Sequence, residues 1–315
     1  MSAAGGARKP LDPQAREFYE RAQALGAPPV YELTLAQARA GASAGAAANG
    51  PGPDVAQVRE LTIPVPGAQL AAREYQPHGA RGTIVWCHGG GWVLDGLALT
   101  DAMCRLLANE SGATVLALDY RPAPEHRFPV ALDDCFDALQ WAAALEDAGP
   151  LVIGGDSAGG NLAAVCAIRS RDRGGPELTA QLLVYPITDS DLTTPSYREH
   201  GNPELPLLGT RSMAWFFDCY ARDAADLINP ELAPLRTPDL SNLPPAIVVV
   251  AEYDPLRDDS LFYAQRLREA GNQLSLHHYE DQPHGFFARG NTIAAGNVAV
   301  ARAAAELREL IAVRL

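Results

Sequence analysis

The stretch VIGGDSAGGNLAA, Val152 to Ala164, encloses one serine among four glycines, between an apolar run and a helical pattern. Within it Gly155-Asp156-Ser157-Ala158-Gly159 fits G-x-S-x-G, whose glycines leave room for a cramped strand-to-helix turn that presents the serine hydroxyl. A serine hydroxyl is a weak nucleophile until a base takes its proton. Phosphate binding is the rival chemistry for a glycine-rich turn, but it needs G-x-x-x-x-G-K-[ST] or G-x-G-x-x-G. Neither pattern occurs around Ser157.

A base must come from another strand end, because reactive loops of an open parallel sheet lie beyond the carboxyl ends of its strands. Of seven histidines, this filter keeps His88, after GTIVWC, and His284, after LSLHHYEDQP. His277 and His278 lie inside their strand, where alternation turns one inward and one outward, so both read as structural. His88 opens HGGGW, whose glycines bring backbone N–H groups close to a ligand, and it reads as shaping that loop. His284, between Pro283 and Gly285, is the expected base. A base histidine is oriented by a carboxylate, which sets its tautomer and stabilises the imidazolium. Asp254, ending AIVVVAEYD before Pro255, is the expected partner and Glu252 its main rival. Asp254 also reads as a helix N-cap, a role that Asp258 or Asp259 fills equally well. A tetrahedral intermediate needs preorganised donors, and the N–H groups of Gly89, Gly90 and Ala158 are the expected oxyanion hole.

The elements that must position these residues are legible in outline. An amphipathic helix is expected over Leu11 to Leu25, capped by Asp12 with Pro13 in its first turn. A short helical pattern, Thr34 to Ala40, gives way to GASAGAAANGPGP, read as a mobile connection. Two extended stretches between Val58 and Tyr75 flank Pro66 and Gly67 and predict a hairpin. Thereafter apolar strands alternate with helices around Thr100 to Ser111, Leu132 to Leu145, Ala158 to Arg169, Asp259 to Ala270 and Ala294 to Val313. That rhythm predicts a mostly parallel sheet of about eight strands covered on both faces. The stretch from Ser190 to about Asn229 breaks the rhythm with an aromatic-rich helix in TRSMAWFFDCYARD, read as a lid.

Composition narrows the partners. The 315 residues are 47% hydrophobic and 20% charged, ample for a large core. A net charge of −13 opposes binding to nucleic acid or anionic membranes, which depends on clustered Lys and Arg. A small-molecule substrate is expected. No apolar stretch follows the basic pair near the start and no spanning run occurs, so a cytoplasmic protein is expected. Cys87, Cys104, Cys135, Cys166 and Cys219 form no C-x-x-C pair and read as free thiols rather than zinc ligands or disulfides, and no metal is expected. The last strand, near Gln273 to Tyr279, is an edge whose unpaired backbone groups a homodimer would hide.

The combination HGGGW (His88 to Trp92), GDSAGGNLA (Gly155 to Ala163), DPLRD (Asp254 to Asp258) and HGF (His284 to Phe286) resembles the hormone-sensitive-lipase-like family of α/β-hydrolase carboxylesterases. DYRPAPEHRFP (Asp119 to Pro129) and Tyr185-Pro186 add to the resemblance, which runs from about Val58 onward. The chain order Ser157, Asp254, His284 is that of α/β-hydrolases. The resemblance implies an α/β-hydrolase fold, Ser157 as nucleophile, His284 as base, Asp254 as its acid, Gly89, Gly90 and Ala158 as oxyanion donors, and no cofactor. It implies a helical cap from residues 1–55 and 190–230, set on a catalytic core of residues 56–189 and 231–315. Pro122 departs from the family pattern, which more often has leucine there, so local repacking is expected. The implied activity is hydrolysis of short- to medium-chain acyl esters through an acyl-enzyme. Trp92, Trp215, Phe216 and Phe286 are the candidate pocket residues, with Phe217 and Phe287 as further bulky aromatics. An amidase or arylformamidase would use the same triad. The plant gibberellin receptors, which resemble this family without its catalytic histidine, supply a non-catalytic alternative.

Overall fold

The computed structural model describes residues 8–26, 28–94 and 96–314. Residues 1–7 of the expected cap segment and Leu315 of the expected core lie outside the described residues.

The chain opens with α1 (Pro13–Ala24), where the Asp12 carboxylate accepts from the N–H groups of Gln14 and Ala15, as its cap position predicts. The next helix corrects the sequence reading. A single helix, α2 (Leu35–Asn49), takes in Gly41 to Asn49, the larger part of the segment read as a mobile connection. Gly41 and Gly45 each cost a helix interior about 1 kcal/mol, but the alanines around them are the best helix formers. A capping box between Thr34 and Gln37 starts the helix. Gly50, at φ +73°, and Pro51 end it.

Strands β1 (Gln57–Val65) and β2 (Ala68–Gln76) form the expected hairpin around Gly67, at φ +74°, with Val58 opposite Tyr75. Then come β3 (Thr83–Cys87), α3 (Leu97–Ser111), β4 (Thr114–Asp119), α4 (Val130–Ala143), β5 (Leu151–Asp156), α5 (Ala158–Arg173) and β6 (Ala180–Val184). An insertion follows, carrying α6 (Pro195–His200), α7 (Thr210–Tyr220) and α8 (Ala224–Leu227). The chain closes with β7 (Ala246–Tyr253), α9 (Arg257–Glu269), β8 (Leu274–Pro283) and α10 (Ala294–Ala312).

The eight strands lie in the order β1-β2-β4-β3-β5-β6-β7-β8. The β1-β2 and β2-β4 pairs are antiparallel and every other pair is parallel, so β3 to β8 share one direction. Buried residues of α4, α5 and α9 cover one face, and those of α3 and α10 the other. Covering on both faces is why β3, β5 and β6 are buried at every residue and read as mostly apolar runs. The common direction also puts the carboxyl ends of β3, β5, β7 and β8 along one edge of the sheet. Among the described residues no helix is long and apolar enough to cross a membrane.

The insertion is fastened to the start of α9. Asp259 Oδ2 accepts from the N–H groups of Thr188 (2.9 Å) and Asp189 (3.0 Å), and Asp258 Oδ2 from Ser196 N–H (2.8 Å). Burial pushes the Asp259 carboxyl up to about 8, against the pull of those two donors, and Asp189 and Asp254 push it the same way. A carboxyl whose pKa is raised on folding gives a stability contribution that is complete below the unfolded pKa of about 4 and is lost as pH rises through the folded value. Wild type is therefore expected to lose thermal stability between pH 6 and pH 9 relative to Asp259→Asn, which keeps an acceptor oxygen and cannot ionise. Parallel melting curves with pH would contradict this.

Candidate active site

Ser157 lies at the junction of β5 and α5 with φ +56°, ψ −119°, a conformation that costs a non-glycine residue of the order of 1–3 kcal/mol. The turn is tight enough to exclude side chains on both sides. A Cβ on Gly155 would overlap the Gly159 carbonyl, and a Cβ on Gly159 would overlap the carbonyl of Cys87 at the end of β3. Both glycines are therefore required by close backbone approach, as the motif suggested. The serine is held by its N–H, which donates to Val184 O at 2.9 Å, and by Asn161, whose N–H donates to Ser157 O. Asn161 Nδ2 donates in turn to Ile187 O and Leu232 O, tying the turn to the loops after β6 and before β7.

His284 follows β8 and faces the serine. Its Nε2 is 3.0 Å from Ser157 Oγ and its Nδ1 is 2.6 Å from Asp254 Oδ2. An ionised carboxylate only accepts, so the Nδ1 proton points at Asp254 and the Nε2 lone pair at the serine hydroxyl. Asp254 is fully buried, and its second oxygen accepts from Leu256 N–H at 2.8 Å, so both oxygens are held. The imidazole packs 4.6 Å from the Tyr185 ring, and the His284 carbonyl accepts from Tyr19 OH of α1. Glu252 is directed elsewhere, pairing with Arg257 Nη1 and His278 Nε2, both at 2.8 Å. His277 is buried against Glu306, and His278 faces outward, the split that strand alternation predicts. His88 stacks on Tyr120 at 4.3 Å while its Nδ1 lies 2.7 Å from Gly89 O, which stabilises the turn of the glycine loop.

One expected donor is corrected. The Gly89 N–H donates to Asp156 Oδ1 at 2.9 Å and is not open to a ligand. Burial raises the Asp156 carboxyl, and this N–H is the largest opposing influence. Among the described residues no hydrogen bond takes up the N–H of Gly90, Gly91 or Ala158. Gly91, passed over in the sequence, has φ +60° and lies so close beneath the Phe216 ring that any Cβ would overlap it. The HGGGW spacing contains this signal, but telling which glycine keeps an open N–H requires knowing where Asp156 points.

Ser157, His284 and the three glycines open onto a cavity of about 740 Å³, walled by α1, α2, α7 and the 201–209 loop. Phe216 lines it, whereas Trp92, Trp215 and Phe286 do not, which corrects three of the four pocket candidates. Trp92 is fully buried and stacks on Tyr220 at 4.4 Å; Phe286 is buried beside Tyr279 and Tyr185. Trp215, next to Phe216 on α7, is half-buried and packs edge-on against it. Phe18, Tyr19 and Tyr31 are the other aromatics on the cavity lining, and the α2 wall presents Ala38, Gly41, Ala42 and Gly45. Glu199, His200 and Glu252 bring potential ligand atoms within 4.8 Å of one another, but Arg257 Nη1 already donates to both carboxylates.

The fold and this strand-end arrangement define an α/β-hydrolase, and residues 84–288 match the family described as alpha/beta hydrolase fold; the chain belongs to it, in the hormone-sensitive-lipase-like branch. Among individual proteins, it is 42% identical over 263 residues to the carboxylic ester hydrolase LipN of Mycobacterium tuberculosis, covering 78% of this chain and 69% of that one. It is 36% identical over 295 residues to an arylesterase of Saccharolobus solfataricus, covering 90% and 94%. A solved structure of the hyperthermophilic esterase of Pyrobaculum calidifontis superposes with a TM-score of 0.91 at 36% identity, covering 96% of this chain and 99% of that one.

Proposed function

We propose that this protein is a carboxylic ester hydrolase that works through an acyl-enzyme on Ser157. The observation that carries the reading is the continuous chain Ser157 Oγ, His284 Nε2, His284 Nδ1, Asp254 Oδ2, with links of 3.0 and 2.6 Å. The names of the similar esterases support it from outside. In the proposed reaction the Ser157 oxygen attacks the ester carbonyl while His284 Nε2 takes the hydroxyl proton. The negative oxygen that forms is met by the N–H groups of Gly90, Gly91 and Ala158. Collapse expels the alcohol, protonated by His284, and leaves the acyl group on Ser157. Water, deprotonated by the same nitrogen, then releases the acid.

Residues of α1 and α2, together with the 190–230 insertion, form the proposed cap over the site. Its cavity of about 740 Å³ is within the range of small-ligand pockets, about 300–1,000 Å³. Short- to medium-chain acyl esters are the proposed substrates, with Phe216 over Gly91 narrowing the space beside the reacting carbon. A panel of p-nitrophenyl esters from acetate to palmitate, with p-nitroacetanilide included, tests this. Turnover is expected to be highest on short to medium chains and at least about tenfold lower on palmitate. Faster cleavage of the anilide than of every ester would replace this reading with an amidase.

A further inference from the structure

Arg289 lies five residues beyond His284, on the wall of the same cavity. Its Nη1 donates to Gly285 O at 2.9 Å, and the guanidinium sits so close to Gly285 that a Cβ there would overlap it. The guanidinium carbon lies over the ring of Phe18 from α1, 5.5 Å from its centroid. Among the described residues no carboxylate comes within ion-pair distance of Arg289, although the chain carries 38 acidic side chains against 25 basic ones. The acids near the site are otherwise disposed. Asp156 is buried and engaged by Gly89 N–H, Asp254 is behind His284, and Glu204 is exposed on the 201–209 loop. Burial dominates the upward shifts of Tyr19, Asp156 and Tyr185, and Arg289 pulls each of them back down, so its charge is felt throughout the site. A second cation on the lining, Arg211, stacks on Tyr31 at 4.0 Å and also has no carboxylate partner among the described residues.

We propose that the cavity accepts esters bearing a carboxylate a few bonds from the scissile carbonyl, and that Arg289 is the residue that selects them. A guanidinium has five N–H donors in a planar fork suited to a carboxylate, and only one is taken by Gly285 O. Partly shielded by Phe18 and the cavity walls, that charge attracts an anion more strongly than it would in open water. The proposal rests on the esterase reading above and goes further by naming a substrate class. The competing role for Arg289 is to hold the Gly285 turn and thereby position His284.

The experiment compares matched pairs on the full-length protein by pH-stat: monoethyl glutarate with ethyl valerate, which places the charge on the acyl side, and O-butyrylglycolate with propyl butyrate, which places it on the alcohol side. In at least one pair, Arg289→Gln is expected to lower the ratio of kcat/KM for the anionic over the neutral ester by at least about tenfold, mainly through KM, with partial recovery in Arg289→Lys. Wild type should also be inhibited competitively by glutarate, a measurement that does not depend on how the variants fold. An equal loss on both members of each pair would assign Arg289 to positioning and overturn the proposal, as would indifference of wild type to glutarate. Failure of wild type to hydrolyse even the neutral esters would instead overturn the esterase reading.

Discussion

Replacing Ser157 by alanine is expected to lower kcat on p-nitrophenyl butyrate by about 10⁶, the scale on which loss of a triad nucleophile acts, because the remaining members have nothing to activate. The variant loses one hydroxyl and keeps the backbone bond to Val184 O, so its melting temperature should stay close to that of wild type. Alanine must still adopt the φ of +56°, which is imposed by the packing of Gly155 and Gly159 against β3 and which serine already tolerates. Activity and stability are thus separable at this position. A folded variant retaining more than about a hundredth of the activity would remove Ser157 from the chemistry, since oxyanion donors and binding alone leave far less than that.

The second large effect is expected at Asp254. Changing it to asparagine should cost about 10⁴ in kcat while leaving the site's shape intact. Asp254 Oδ2 accepts a hydrogen bond from His284 Nδ1, the two atoms 2.6 Å apart. An amide nitrogen in that place favours the other tautomer, whose protonated Nε2 cannot accept from Ser157. Glu252→Gln is the matched control, two residues earlier on β7. Its carboxylate pairs with Arg257 and His278, so turnover should remain within about threefold of wild type. Rates of the two variants measured side by side decide the matter. A larger loss for Glu252→Gln would mean that the geometry described for Asp254 is not the working one.

These two residues show how far a linear reading reaches. Ser157 was legible because the turn that exposes it is a local property: a serine with glycines two residues away on each side, between an apolar strand and a helix, has few ways to fold. His284 and Asp254 were legible at one remove, since both follow apolar runs and parallel strands put their carboxyl ends at one edge. The Asp12 cap of α1 and the hairpin at Gly67 were local in the same sense. The α2 helix was half legible: its capping box lies in the sequence, but glycines at 41 and 45 look like punctuation until the alanine-rich stretch is seen to continue helical through to Asn49.

What the sequence by itself determined was the fold class and the chain order of the serine, acid and histidine that the structure brings within hydrogen-bond distance of one another, because each depends on spacing within one element or on the common direction of parallel strands. Tertiary structure alone decided the rest. Gly89 and Gly91 are indistinguishable in HGGGW until Asp156, from a different strand, engages one N–H and not the other. Trp92 and Phe216 are equally bulky in the sequence, yet the first stacks into the core on Tyr220 and the second lines the cavity. Which hydrogen-bond donor remains open, and which ring faces a cavity, depends on partners distant along the chain, and those partners are set only when the layers pack.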